Sequence, residues 1–506
     1  STPIGVTVLE GVSTGLTPFQ EVAKYNVGLI MERERGIPNV PVKVLSLQDD
    51  RKRFGGLNSA MFGPYVARHL FKNAQNYGAV VYGVRVLDTD NSDTAKGLFT
   101  DGAGSPTTIF TAYAGQSGYK DPGTWANSTS YSAGEGLKVR GFPIGHANGI
   151  VDKYLFEVFY KNKLVESWEA FTWAELIASV NDRSAFVYLE AGDLTKDITD
   201  IQQVHLSGGT YAAPVESDFY PVPDETSPTG LAIFDNVDVQ IIICAEHHTV
   251  DMATQGRDYA NGHQNRPIYV YNLPYFSTST EVETFAAALQ TDNTDCSAGY
   301  NFWVKTSDEA GGFVWTPSVG VIVGAGYVRV PGLNRDFIHY PPGGVESAFV
   351  DVVDINPNNL TEALMTQWVK RYSTNVAVYK QGKGFFLFTS RTNSTNSLYQ
   401  SVHIRRLTSY YKRTLELNLL WAVQKPVTPQ LKREMYVSIY QYFLGEYGRG
   451  ALEGSIPFDQ ACVINVEQDT QDRKILKVII DVILTECAES IRIELNRNDN
   501  SLIVNA

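Results

Sequence analysis

The chain has only four cysteines in 506 residues, and no two of them form a C-x-x-C pair. Cys244, Cys296, Cys462 and Cys487 are widely scattered, which argues against a disulfide-stapled scaffold or a cysteine-based zinc module; buried free thiols are expected instead. No run of about 18 apolar residues exists, so no membrane-spanning helix is expected. The opening residues STPIGVTVLEGVS carry neither a basic stretch nor a long apolar core, so no secretory signal is expected, and folding in a cytoplasm is. Positive charge is in short supply: 42 Lys+Arg against 55 Asp+Glu give a net charge of −13, which disfavours a general nucleic-acid binder.

The signatures of common chemistries are missing too. Gly382-Lys383-Gly384 lacks the upstream glycine and the Ser/Thr of a phosphate loop, and there is no G-x-S-x-G elbow. Glu246-His247-His248 with His263 is the single histidine cluster, and its spacing matches no metal motif. Asp88 to Ser92 starts like a calcium loop, but Asp93 stands where glycine is required and Phe99 where the bidentate Glu should be. Polar turns are expected at both places. No catalytic, cofactor-binding or metal residue is proposed from the sequence.

What is present suits a large globular chain. Apolar residues make up 43% and aromatics 12%, enough for several cores. The β-branched runs Ala79–Leu87, Val239–Cys244 and Ile268–Leu273 read as buried strands of a parallel sheet. Val27–Met31, Val40–Leu45, Tyr300–Lys305 and Val319–Val323 are further strand candidates. A helix is expected over Ser59–Asn73 with Met61, Tyr65, Val66, His69 and Leu70 inward, and another over Glu281–Gln290. Between them, Ala95 to Ser227 turns to short strands set among Ser, Thr, Gly and Asp, with one helix near Thr172–Asn181. This reads as a β-rich insertion in an α/β domain. The expected division is an N-terminal arm and strand (1–20), a discontinuous central α/β domain (21–94 and 228–355), the insertion (95–227) and a C-terminal α+β domain (356–506).

The C-terminal part is organised around Val402 to Gly454. A short alternating run, Val402-His403-Ile404, feeds Arg405-Arg406. A helical stripe of Leu407, Tyr410, Tyr411, Thr414, Leu417, Asn418 and Trp421 follows. After Pro426, Thr428-Pro429 is a helix start: Thr can cap, and proline is harmless at the first position. Leu431, Met435, Ile439, Tyr442 and Phe443 line one side of this second helix, Lys432, Arg433 and Glu434 the other. Residues 401–449 carry eight Lys+Arg against three Asp+Glu, a local +5 in an acidic chain, which suits an acidic partner surface. At the ends, Ile4–Leu9 and Ile475–Leu484 alternate like strands, and the first has no nearby partner to pair with.

Several blocks in order resemble the tail sheath proteins of contractile phage tails and bacterial contractile injection systems. They are Pro3-Ile4-Gly5-Val6 with Glu10, Pro41 to Gly56, Arg266 to Pro274, Trp315 to Arg329, and Pro341-Pro342-Gly343. The C-terminal set is Arg391-Thr392, Arg405-Arg406-Leu407 and Gly450-Ala451-Leu452. The chain departs from the pattern at Leu398–Ser401 and Leu484–Ser490. The resemblance implies a non-enzymatic protein with a subtilisin-like α/β central domain and strand-exchanging terminal arms. It also implies hexameric rings stacked around an inner tube, with baseplate and terminator proteins as further partners, no cofactor, and assembly in a bacterial cytoplasm. It places Ile4, Val6, Val8, Leu9, Ile475, Val478, Ile480 and Val482 in strands between subunits, and Lys432, Arg433 and Arg449 toward the tube. A capsid-like assembly protein and a glycan-active enzyme are the alternative readings; the second would account for the 28 tyrosines and the β-rich insertion.

Overall fold

The computed structural model describes residues 19–147, 150–198, 200–275, 278–290, 296–309 and 311–488. The expected strand Ile4–Leu9 lies outside them. The chain divides into two compact units, one built from residues 23–409 and the other from residues 410 onward with the N-terminal residues up to 22.

The larger unit is built on a six-stranded sheet. Its strands are β1 (Asn26–Met31), β2 (Val42–Val44), β3 (Val80–Arg85), β4 (Ile241–Cys244), β5 (Ile268–Asn272) and β6 (Ser297–Tyr300). Their spatial order is β6-β5-β4-β1-β3-β2; all neighbours run parallel except β2, antiparallel to β3 at the edge. The β-branched runs fall in the middle of this sheet because both of its faces are covered. Val27, Leu29, Ile241, Ile243 and Val270 face one core, and Ile30, Ile242, Cys244 and Tyr269 face the other.

The helix α1 (Gly63–Ala74) covers the first face with Tyr65, Val66, His69 and Leu70 buried. Against it lies a helix where Val319–Val323 reads as a strand in the sequence. Residues 319–333 form a continuous helical stretch whose middle, Val323–Arg329, is π-helical. The apolar run is buried on all sides, so it has no alternation to tell helix from strand. Its glycines let this helix lie against α1 at backbone distance. A Cβ on Gly320 would lie 2.2 Å from the Val66 carbonyl oxygen, and one on Gly324 2.5 Å from that of Leu70, so two backbones are in direct contact there. The second face is covered by Val250–Gly262 and Ser279–Leu289, each started by a threonine cap.

Residues 96–205 form a β-rich module with a core of its own. One sheet joins Val187–Ala191, Thr108–Gln116 and Lys96–Thr100; the other joins Gln202–His205, Leu137–Ala147, Ile150–Tyr160 and Lys163–Ala170. The helix Trp173–Arg183 closes the layers, and Phe99, Phe110, Phe156 and Trp173 fill the space between.

The smaller unit begins within helix α2 (Val402–Leu419). Val402-His403-Ile404, read as an alternating run, is the buried first turn of this helix. Helix α3 (Pro429–Gly448) starts as its sequence dictates, with Thr428 Oγ1 accepting from Leu431 N at 3.1 Å and Pro429 in the first turn. Leu431, Met435, Ile439 and Phe443 bury one side, and α3 packs along β7 (Cys462–Gln468), which pairs antiparallel with β8 (Leu476–Val482).

Candidate assembly surfaces

The smaller unit gathers most of the residues singled out in the sequence. On α3, Arg433 is exposed and Lys432 is half-buried. Arg449 is exposed but engaged with two carboxylates, Glu21 at 3.2 Å and Glu446 at 3.0 Å. Glu446 is itself buried and accepts from Tyr411 Oη at 3.0 Å. The outward stripe of α3 is mixed rather than basic: after Arg433 come Tyr436, Tyr440 and Leu444, all exposed. The two tyrosine rings stack at 5.9 Å. Spacings of three and four put these residues on one face, but the sequence reading weighed only the charges there.

The hairpin β7–β8 has apolar residues on both faces. Ile464, Val466, Val478, Ile480 and Val482 are half-buried, and Val463, Ile479 and Ile483 are exposed, as is Ile475 just ahead of β8. Gly450-Ala451-Leu452 serves this hairpin. Gly450 takes a positive φ of 83°, Ala451 and Leu452 are buried, and Leu452 bridges Leu484. Among the described residues no other strand pairs with the outer edges of β7 and β8. Ile4, Val6, Val8 and Leu9 lie outside the described residues.

The remaining motif residues are buried, except Arg391, which is half-buried. Thr392 is buried, donating from Oγ1 to the Tyr399 carbonyl at 2.6 Å, while Arg391 N donates to Asn375 Oδ1 at 2.6 Å. Arg405, Arg406 and Leu407 are buried. Arg405 donates to Ser409 Oγ at 3.0 Å and lies over Tyr399. Arg406 lies over the Tyr327 ring at 5.0 Å and donates to the Tyr327 carbonyl at 3.0 Å, within the π-helical stretch. Neither has a carboxylate partner among the described residues, and burial pushes both guanidinium pKa values down.

The histidine cluster has a structural account. Glu246 follows β4 and takes three backbone donors: Gly63 N at 2.6 Å, Phe62 N at 3.0 Å and Glu32 N at 3.3 Å. It thus caps α1, a favourable place for a carboxylate. Burial pushes Glu246 up to about 7; the Glu32 carboxylate adds to the push, while the Phe62 and Gly63 donors pull the other way. His248 sits against Phe62 and Trp303, and burial pushes it down to about 3. Among the described residues no group of three or more His, Cys, Asp or Glu is arranged to hold a metal ion. The Asp88 carboxylate closes its own turn, accepting from Asp90 N and Asn91 N.

A cleft of about 790 Å³ opens between the loop after β1 and the module, lined by Glu34, Trp125, Asn127, Thr129, Lys161 and His205 among others. Among its lining side chains, Asn127 exchanges two hydrogen bonds with Gly209, and Thr129 Oγ1 donates to Glu135. No helix in the described residues is long and apolar enough to cross a membrane.

No protein-family model matches the chain, and no curated protein does. Solved structures do. The sheath complex of an extracellular contractile injection system, PVC, in its contracted state, is 13% identical and aligns over 99% of both chains with a TM-score of 0.55. A sheath tail protein from Listeria innocua is 13% identical over 92% of this chain and 96% of its own, with a TM-score of 0.60. One from Desulfitobacterium hafniense is 11% identical over 95% and 100%, with a TM-score of 0.56. The chain therefore has the mixed α/β, multidomain fold of contractile-system sheath proteins, nearly end to end.

Proposed function

We propose that the chain is a structural, non-enzymatic sheath subunit of a phage tail or phage-tail-like particle. It polymerises as stacked hexameric rings around an inner tube and contracts to drive that tube through a target envelope. The observation that carries this reading is the end-to-end likeness to a sheath captured in a contracted assembly. A partial match would have fitted one borrowed domain; coverage of 99% on both sides fits the whole subunit.

In this reading the central sheet is a subtilisin-like scaffold used for packing. The open-edged hairpin β7–β8 receives a strand, such as Ile4–Leu9, from a neighbouring copy, so that rings stay linked while other contacts exchange. Helix α3 faces the tube through Arg433 and its tyrosines, and baseplate and terminator proteins bound the stack. Assembly takes place in the bacterial cytoplasm and needs no cofactor, nucleic acid or membrane insertion.

The test is electron microscopy of the purified chain, alone and with its tube protein. Hollow cylinders are expected, longer and narrower on tubes than without them. Closed shells, or monomers at every concentration, would overturn the reading. The Ile4–Leu9 link has its own test: proline at Thr7 or Val8 removes a ladder donor and should shorten the cylinders, where alanine at the same positions does not.

A further inference from the structure

The central sheet and the β-rich module meet at a cluster of arginines that belongs to both. β1 runs on into Arg33-Glu34-Arg35-Gly36. Arg33 pairs with the buried Asp50. Arg35 is 3% exposed and points into the module, its guanidinium carbon 4.5 Å from the Phe186 ring centre, 5.1 Å from Trp125 and 5.7 Å from Tyr160.

Arg85, the last residue of β3, is 0% exposed and uses every nitrogen. Nε donates to the Arg33 carbonyl at 2.9 Å, and Nη1 to the Gly36 carbonyl at 2.8 Å and to Asp121 Oδ1 at 2.7 Å. Nη2 donates to the carbonyls of Glu34 and Pro122 at 3.2 and 2.9 Å. Asp121, on the module, accepts from Gly36 N at 2.7 Å through its other oxygen. Farther along, Tyr211 Oη meets the Glu32 carboxylate as the chain returns from the module.

We infer that the module is an obligatory part of the central domain's fold rather than a decoration that could be exchanged for a linker. Two cations, Arg85 at the end of β3 and Arg35 in the bend after β1, are buried, and the module supplies what makes their burial tolerable. Arg85 receives its only carboxylate from Asp121, among the described residues. Arg35 receives three aromatic faces. A buried charge stripped of one partner is far costlier than a buried pair, and costlier than an apolar side chain in the same place. Without the module, Arg85 would keep its bonds to the carbonyls of Arg33, Glu34 and Gly36 but lose its carboxylate, and Arg35 would lose its aromatic faces.

Hydrogen exchange read by mass spectrometry on the unassembled chain tests this. In the unaltered protein the protected amides of β1, β3 and Thr108–Gln116 are expected to exchange as one cooperative unit. Arg85→Met and Asp121→Leu should each speed that exchange by about 10²–10³-fold, the range expected for breaking a buried ion pair. The double variant, which buries neither charge of this pair, should lose less than the two single effects added together, although the carbonyls that Arg85 served stay without its donors. Asp121→Asn keeps the shape and serves if either single variant does not fold; it should show the same direction. Module amides that exchange ahead of an intact sheet in the unaltered protein would overturn the inference, as would single-variant effects that simply add in the double. Since nothing is assembled in this experiment, its failure leaves the sheath reading untouched, and failure to form cylinders leaves this inference untouched.

Discussion

On the proposal that α3 faces an inner tube, its outward stripe offers two kinds of contact. Lys432 and Arg433 could pair with acidic tube residues, each exposed ion pair contributing about 0–1 kcal/mol. The tyrosines offer more. Tyr436 is 39% exposed and Tyr440 36%. With about 200 Å² per aromatic side chain, the two leave about 150 Å² to cover, or about 4 kcal/mol per subunit at about 25 cal/mol/Å² if fully buried. We therefore expect Tyr436→Ser with Tyr440→Ser to reduce extended sheath on tubes more than Lys432→Glu with Arg433→Glu does. Because more than half of each ring is already covered in the free chain, Tyr440 lying against the Phe458 ring at 5.0 Å, each substitution should also cost the subunit about 1–2 kcal/mol of its own stability, while tube-free contracted cylinders should persist. The assay is co-expression with the tube protein, counting extended and contracted particles in electron micrographs at low and high salt. Charge reversal should matter less as salt rises, whereas the tyrosine effect should hold. Undiminished extended sheath in the tyrosine variant would refute the reasoning and move the contact off this face.

Three further outcomes concern the chain itself. Glu246 has a folded-state pKa raised to about 7 from 4.5, so the folded state holds the proton more tightly than the unfolded chain. Its contribution is favourable below about pH 4.5 and is lost as pH rises to about 7, so Glu246→Gln should flatten that slope in urea unfolding; an unchanged slope would show that its proton is not held this way. Arg406, buried without a carboxylate partner among the described residues, should tolerate Arg406→Met within about 2 kcal/mol, since relief of a buried charge offsets the loss of its bond to the Tyr327 carbonyl; a loss as large as that from Arg85→Met would contradict this account. Gly324→Ala should cost about 1–3 kcal/mol or more through overpacking against α1, whereas Gly262→Ala, with nothing within 4 Å, should not destabilise. Equal urea midpoints for the two alanine variants would refute the close helix contact.

The elements readable from sequence are those whose local chemistry and burial agree. VQIIIC and IYVYNL are β-branched and doubly covered, and Thr428-Pro429 states a helix start in two residues. The stretch from Val319 was unreadable because a fully buried run has no polar face to set its period. Its glycines acquire meaning only once α1 is seen alongside. At the surfaces, charge was visible and context was not. Arg449 looks like a free cation until Glu21, from the other end of the chain, and Glu446 are placed beside it. Arg35 and Arg85 attract no notice as single letters, since the cage extends from Trp125 to Phe186 and Asp121 lies 36 residues beyond Arg85.

The hairpin β7–β8 has a consequence for length. Among the described residues no further strand pairs with the outer edges of this ribbon, and if a copy occupies one edge through a different part of its own surface, the newcomer brings the same vacancy with it. Such head-to-tail addition has no internal stopping point: the last subunit added is as receptive as the first. On the proposed sheath reading, such a subunit would fix the pitch and girth of what it builds but not its extent, and a uniform length would have to come from a separate molecule.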